Sequence, residues 1–250
     1  MSPLSLYPLL GLPQVASGNN LAGLLAEALG DTGGGAQSGD VLVVCQKIVS
    51  KAEGRIVSLA DVQPSARAED FADSFDKDAR VVELALREAR EILRMEDGHL
   101  ITTTGPGWVA ANSGVDCSNQ NEDGEATLLP LDADQSAAAL RAALTTKLDV
   151  EMAVVISDTF GGAWRLGQMD LAIGAAGFEV LDDRSGGRDW SGRPLSHTEL
   201  AVADQLAAAA GLLMTKNAGV PAVLVRGFAY RRGQAQARDL IRATDDDLFR

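Results

Sequence analysis

The residues best suited to chemistry fall in three short stretches. The first, residues 39–55 (GDVLVVCQKIVSKAEGR), carries Lys47 and Lys51, two of only five lysines among 250 residues. A lysine ammonium is a compact point charge suited to phosphate oxygens, and the Gln46 amide or Ser50 hydroxyl could add hydrogen bonds. If the apolar strand that opens the segment continues through Ser50, period two puts both lysines on one face. That face is either a solvated strand edge or a grip for an anion. The second stretch, residues 112–125 (NSGVDCSNQNEDGE), crowds Asp116, Asn119, Glu122, Asp123 and Glu125 into one loop. Carboxylate and amide oxygens so gathered suit a hard cation, although the spacing is not that of an EF-hand, and a plain acidic surface loop would read the same. The third, residues 154–162 (VVISDTFGG), ends a buried strand on Asp158-Thr159. Ligand sites of open α/β sheets lie at such carboxyl ends, and a carboxylate beside a hydroxyl can hold Mg²⁺ near phosphates. An Asp-Thr turn is the simpler alternative.

Composition bounds what these stretches can serve. At 46% hydrophobic and 23% charged, the chain is that of an ordinary globular protein, with a core of Ala, Leu, Val and Ile because aromatics make up only 4%. A net charge of −13 and a pI near 4.5 argue against nucleic acid or an anionic membrane as partner. Cys45 and Cys117 are too few for a disulfide framework and lack metal-site spacing. The first residues, MSPLSLYPLLGLP, have no basic n-region, and no run of 18 apolar residues occurs, so neither a signal peptide nor a membrane span is expected and the cytoplasm is the expected location.

The elements that must position these residues alternate, which implies a mixed α/β (α+β) fold. An edge strand is expected over 4–10, and a helix over 17–30, capped by Asn19 or Asn20 and stopped by Gly30. A buried strand is expected over 41–50. Helical periodicity at Val82, Ala85, Leu86, Ala89, Ile92 and Leu93 predicts one helix over 74–95. A strand over 99–105 and a long loop to 130 follow. A helix over 135–148 and a buried strand over 150–159 come next. Residues 160–178 read as a Gly-punctuated connection into a short helix, and 181–196 as a polar loop. Ser196 with Glu199 fits a capping box for a helix over 196–214, and 220–228 reads as the last buried strand. The remaining tail reads as polar and peripheral. No clean boundary divides the chain, so residues 1–250 are expected to form a single domain.

Absences narrow the chemistry further. There is no G-x-x-x-x-G-K-[ST], no strand-bound G-x-G-x-x-G and no G-x-S-x-G. Only His99 and His197 are present, and His197 falls in the expected capping turn, so a histidine-based triad has little support. Trp164-Arg165 could clamp a planar or anionic ligand, against the commoner reading of a packed Trp beside a solvated Arg.

The motifs GDVLVVCQKIVSKAEGR, SGVDCSN, ISDTFGGAWRLGQMDLAIGAAG and GVPAVLVRG, with the ending DDLFR, occur in the order seen in coenzyme F420-0:L-glutamate ligases. The chain resembles that family from Tyr7 to Arg250. The resemblance implies an unusual α+β fold forming an intertwined homodimer. Some relatives fuse this domain to a flavin-binding reductase-like one, so residues 1–250, where no such second domain is expected, are either a stand-alone ligase or an excised domain. It also implies GTP-dependent ligation of L-glutamate to the carboxylate of coenzyme F420-0, and then further γ-linked glutamates. Mg²⁺ or Mn²⁺ would be required, and K⁺ would help. Carried over by position, Leu12, Pro13, Gln14 and Val15 match a nucleotide-contacting turn, while Gln46, Lys51 and Asn119 match GTP contacts. Met214, Thr215, Lys216, Asn217, Ala218, Gly219, Val220 and Pro221 match a further GTP-contacting loop. Asp116, Asp158 and Thr159 match metal ligands. Lys216 stands where archaeal members carry an acidic metal ligand, which puts a second metal in question, and Gln14 stands where glutamate is frequent.

On that resemblance, phosphoryl transfer from GTP makes an acyl phosphate that the glutamate amine then attacks. Metal held by Asp116, Asp158 and Thr159 would offset the phosphate charge, with Lys51 adding a fixed cation. Lys51 and Asp158 are thus the expected catalytic residues. Two rivals stay open: an amide ligase using another nucleotide and acid, and a non-catalytic nucleotide-binding module.

Overall fold

The computed structural model describes residues 3–248; Phe249 and Arg250 of the DDLFR ending lie outside them. The chain opens with β1 (Ser5–Pro8), α1 (Leu21–Asp31), β2 (Val41–Cys45) and α2 (Gln46–Ala52). An excursion follows through β3 (Ile56–Ser58), α3 (Ala66–Phe75), α4 (Ala79–Glu88), β4 (Ala89–Glu96), β5 (His99–Thr104), β6 (Val109–Ala111) and β7 (Glu125–Thr127). The chain returns as α5 (Ala133–Leu148), β8 (Ala153–Gly161), β9 (Gln168–Ala176), β10 (Leu181–Asp183), β11 (Glu199–Ala201), α6 (Val202–Gly211) and β12 (Ala222–Arg226).

A five-stranded mixed sheet in the order β1-β12-β2-β8-β9 forms the centre, and only β2 and β8 run parallel within it. Its inner strands are near-continuous apolar runs because both faces are covered. Leu42, Val44, Val154, Ile156 and Leu224 point toward α1 and α5, whose Leu25, Leu29, Leu140 and Leu144 complete one core. Val41, Val43, Val155, Val223 and Val225 point the other way, onto Val202, Leu206 and Ala210 of α6. Polar side chains start α1 and α5: Asn20 accepts from the Gly23 amide at 3.0 Å, and Asp132 from the Gln135 amide at 2.9 Å.

Several expected elements are corrected. The strand expected over 41–50 stops at Cys45, and Gln46–Ala52 is helical. Lys47 and Lys51 still share a face, but by the i, i+4 spacing of a helix. The helix expected over 74–95 is two helices and a strand. α3 ends at Asp76 in the left-handed region (φ 51°), and α4 gives way at Ala89 to β4. The cause is a hairpin: Glu96 pairs His99 across Asp97-Gly98, both at positive φ, the two-residue turn that Asp-Gly favours. Pairing with β5 overrides the helical pattern of AREILRME. The short helix expected within 160–178 is β9, paired along β8. The capping box at Ser196 and Glu199 does not form: Glu199 lies in β11, and α6 begins at Val202 without a side-chain cap. α1 runs through Gly30 to Asp31. The loop after 105 contains β6 and β7, and the polar loop after 181 opens with β10. The tail is only partly peripheral. Ala237 is buried, and Asp134, 3% exposed, binds the amides of Ala237 and Ala175 with Oδ1 and the Arg238 side chain with Oδ2.

Gly174 shows why β9 and α5 can touch. A Cβ there would lie 2.2 Å from the Ala133 carbonyl oxygen, a backbone atom that cannot step aside. Gly174→Ala is expected to destabilise the protein by about 2–4 kcal/mol, read as a lower urea midpoint at unchanged slope. A midpoint equal to that of the wild type would show that α5 can shift away freely.

Candidate active site

The three chemical stretches meet at one edge of the central sheet. β2 and β8 are parallel with Cys45 opposite Ser157, so the residues that leave them, Gln46 to Lys51 and Asp158-Thr159, emerge side by side. The Cys45 amide donates to the Pro221 carbonyl at 2.8 Å, and the Leu9 amide to the Ala222 carbonyl at 2.9 Å. These bonds bring the 214–221 loop and the turn after β1 to the same edge. The result is a cavity of about 470 Å³. Its lining includes Leu12, Pro13, Gln14, Val15, Gln46, Lys51, Asp116, Asn119, Asp158 and Thr159, together with Met214, Thr215, Lys216, Asn217, Gly219, Val220 and Pro221. Of the residues expected there, only Ala218 lies outside the lining, its amide closing a turn onto the Thr215 carbonyl at 2.9 Å.

The two lysines have different work. Lys47 makes a 2.8 Å ion pair with Asp116 Oδ2 and donates to the carbonyl and hydroxyl oxygens of Ser118 at 2.5 and 2.7 Å. An ammonium has three donors, so Lys47 is saturated by the protein and has no proton left for a phosphate. The expectation that both lysines grip an anion therefore holds for one at most. Lys51 donates to the Asn119 carbonyl and to Asn121 Oδ1, each at 2.7 Å, which leaves one proton for the cavity it lines. Burial, and next the charge of Lys47, lower its pKa. Gly54 closes the lysine helix at φ +73°, where a Cβ would lie 2.9 Å from the Ser17 hydroxyl.

The carboxylates also divide. Burial pushes Asp116 upward, but bonds from Lys47 and Ser118 overcome it and hold the group below the usual carboxylate range. Asp158 moves the other way, to about 6, chiefly because it is desolvated and also because Asp116 and Asp170 repel its charge. Gln46 and the Thr159 amide hydrogen-bond it and oppose that rise. Asp170 was not legible as a site residue. It lies opposite Thr159 in the β8–β9 ladder and accepts that hydroxyl's proton at 2.8 Å. The only available signal was antiparallel pairing of a segment that reads as a connection. The Cys45 thiol, in the same lining, is pushed to about 11 mainly by burial, which rules out a thiolate nucleophile there at neutral pH. The acidic loop contributes less than its composition implies: Glu122, Asp123 and Glu125 are outside the lining, as are Trp164 and Arg165.

The donor set suits a hard cation that shares its shell with a ligand. Among the described residues, no three His, Cys, Asp or Glu side chains are grouped closely enough to hold a metal by themselves. Mg²⁺ beside phosphates commonly takes only one or two carboxylates, with the rest supplied by phosphate and water. Desolvation, and after it repulsion from Asp116 and Asp170, raise Asp158, and a bound cation would offset both.

An α+β chain whose cleft gathers Lys51, Lys216 and the three carboxylates Asp116, Asp158 and Asp170 presents the groups of an enzyme active site. The chain belongs to the F420-0:Gamma-glutamyl ligase family, whose model matches residues 10–227. It is 42% identical over 250 residues to the coenzyme F420:L-glutamate ligase of Methanothermobacter thermautotrophicus, covering 99% of both chains. Identity to the enzyme of that name from Methanopyrus kandleri is 42% over 242 residues, covering 95% of this chain and 94% of the relative. For Archaeoglobus fulgidus it is 37% over 248 residues, covering 99% and 96%. No helix among the described residues is long and apolar enough to cross a membrane.

Two outcomes follow from the geometry. Lys47→Met is expected to cost about 2–4 kcal/mol in urea unfolding, because it leaves Asp116 and Ser118 without their donor; a loss below 0.5 kcal/mol, roughly that of a plain surface change, would contradict a saturated clamp. Asp158 below its unfolded value of 3.8 is protonated whether the chain is folded or not and costs nothing, whereas above about 6 it is ionised in both states and burial penalises the fold. Asp158→Asn should therefore stabilise the metal-free protein by roughly 1–2 kcal/mol at pH 7.5, with the gain fading toward pH 4. A gain independent of pH would point to a steric cause instead.

Proposed function

We propose that the protein uses GTP to join L-glutamate to the carboxylate of coenzyme F420-0, and then adds further glutamates through γ-linkages. The observation that carries this reading is the gathering in one cavity of Lys51, with one proton not bound by the protein, and of Asp116, Asp158 and Thr159. Membership in the ligase family supports the products, and the cavity supports a bound nucleotide.

A carboxylate is a poor electrophile. The F420-0 carboxylate oxygen attacks the γ-phosphorus of GTP, the bond to the β-phosphate oxygen breaks, and GDP leaves with its electron pair. The glutamate amine then attacks the acyl phosphate, the amide bond forms, inorganic phosphate departs, and the amine gives up a proton. Lys51 binds the phosphate chain where negative charge accumulates, and it is preorganised by its bonds to Asn119 and Asn121. The turn at 12–15 and the loop at 214–221 enclose the nucleotide, with the Asn119 amide donating to the Lys216 carbonyl at 3.0 Å to join two of the walls. Asp116, Asp158 and Thr159 would hold Mg²⁺ or Mn²⁺, with Asp170 orienting the Thr159 hydroxyl. When bound, that cation would neutralise phosphate oxygens during transfer. Lys216, a cation beside this shell, argues for fewer metals than an acidic residue there would allow. A role for K⁺ and a homodimer belong to the same reading.

The test is mass spectrometry of F420-0 after incubation with the protein, L-glutamate, GTP and Mn²⁺. Products each one glutamyl unit heavier are expected, with ATP a poor replacement for GTP. Intact GTP and unchanged F420-0 would overturn the reading. Asp158→Ala should reduce turnover by about a hundredfold or more while the circular dichroism spectrum stays that of the wild type; near-normal turnover in saturating Mg²⁺ would remove Asp158 from the metal shell.

A further inference from the structure

One side chain outside the cavity lining joins three of its walls. Asn121 sits half-buried in the loop between β6 and β7. Its Oδ1 accepts from Lys51 Nζ at 2.7 Å and from Gln14 Nε2 at 2.8 Å, and its Nδ2 donates to the Val15 carbonyl at 2.9 Å. Chemistry fixes the orientation of this amide. An ammonium can only donate and a carbonyl can only accept, so the atom facing Lys51 must be oxygen and the atom facing Val15 must be nitrogen. Both acceptors that engage Lys51 come from this loop: the Asn121 side chain and the carbonyl of Asn119, a residue held at φ 51°.

We propose that Asn121 is a positioning residue for nucleotide binding: it occupies one Lys51 proton, and with the Asn119 carbonyl it leaves the third aimed into the cavity while tethering the 12–15 turn beside it. This rests on the nucleotide reading above, and deepens it by assigning the alignment of the phosphate-binding amine to a residue that does not itself face the ligand. Beyond Asp116, the acidic loop then matters less for its carboxylates than for this amide. Asp at the same position would be nearly isosteric, yet would set a carboxylate oxygen against the Val15 carbonyl and hold the Lys51 charge to itself.

The experiment measures GTP affinity in the presence of Mg²⁺ by calorimetry on the full chain for the wild type, Asn121→Ala, Asn121→Asp, Lys51→Met and the double variant Asn121→Ala/Lys51→Met. Asn121→Ala should weaken GTP roughly tenfold, and Asn121→Asp more, with melting temperatures close to that of the wild type. Because Asn121 acts largely through Lys51, the double variant should bind within about twofold of Lys51→Met alone. Losses that multiply in the double variant, or wild-type affinity in Asn121→Ala, would overturn the proposal. A nucleotide-free readout separates it from the function: acylation of Lys51 by an N-hydroxysuccinimide ester, followed by peptide mass spectrometry, should be several-fold faster in Asn121→Ala. Unchanged labelling would also overturn the clamp. Faster labelling in a protein whose wild type binds no GTP would uphold the clamp and sink the nucleotide reading.

Discussion

The site depends on the polarity of five strands. β2 and β8 are parallel, so their carboxyl ends share one edge of the sheet, and Cys45 faces Ser157 there. β1 is antiparallel to β12, which is antiparallel to β2, so β1 also ends at that edge and β12 begins there. β9, antiparallel to β8, brings its first residues, including Asp170, to the same place. The cleft follows from these directions: most of its walls are segments just leaving or just entering the sheet, and the loop between β6 and β7 adds Asp116 and Asn119. Loops at such an edge can vary in chemistry while the buried ladders beneath hold their separation.

Charge inside the cleft is arranged by pairing more than by number. The chain carries −13 overall, yet the cleft keeps three of its five lysines, Lys47, Lys51 and Lys216. Lys47 is used to hold Asp116 and the loop after it, which keeps that carboxylate ionised, whereas Lys51 keeps a proton available. Among the described residues no cation pairs with Asp158, and burial is the chief cause of its raised pKa. An ionised buried carboxylate is an expense for folding that a bound cation would offset, the usual relation between a strained group and the ligand it awaits.

Elsewhere the same need to satisfy buried charge builds the frame. Asp40, 2% exposed, is gripped by the Arg226 guanidinium at 2.7 and 2.9 Å, and Arg226 also donates to the carbonyls of Gly33 and Gly35 at 2.7 Å. That fork fastens the glycine-rich connection before β2 to the end of β12. Asp134 does the equivalent for the tail, tying Ala237 and Arg238 to α5 and to Ala175 of β9, so two connections are fastened by buried carboxylates whose oxygens are well satisfied.

The sequence by itself determined the buried strands, since runs such as VLVV, AVVIS and AVLV can be stable only when covered on both faces, and it determined α1 and α5 through their periodicity and caps. It also made the family legible, through the order of long motifs, and through that resemblance most residues of the cleft lining, though not Cys45, Ile48, Ser157 or Asp170. Tertiary structure decided what local pattern leaves open. QKIVSKA is compatible with strand or helix, and it becomes α2 where β2 ends and the chain turns off the sheet. AREILRME has helical periodicity, and it becomes β4 because an Asp-Gly hairpin offers it a partner. Asp170 and Asn121 carry no local sign of their roles, since one reaches the site through cross-strand register and the other through contacts with residues more than 60 positions away. Lys47 and Lys51 are the same residue type four apart on one helix, and only the acceptors that the fold sets around each ammonium make one a clamp and leave the other a proton to give.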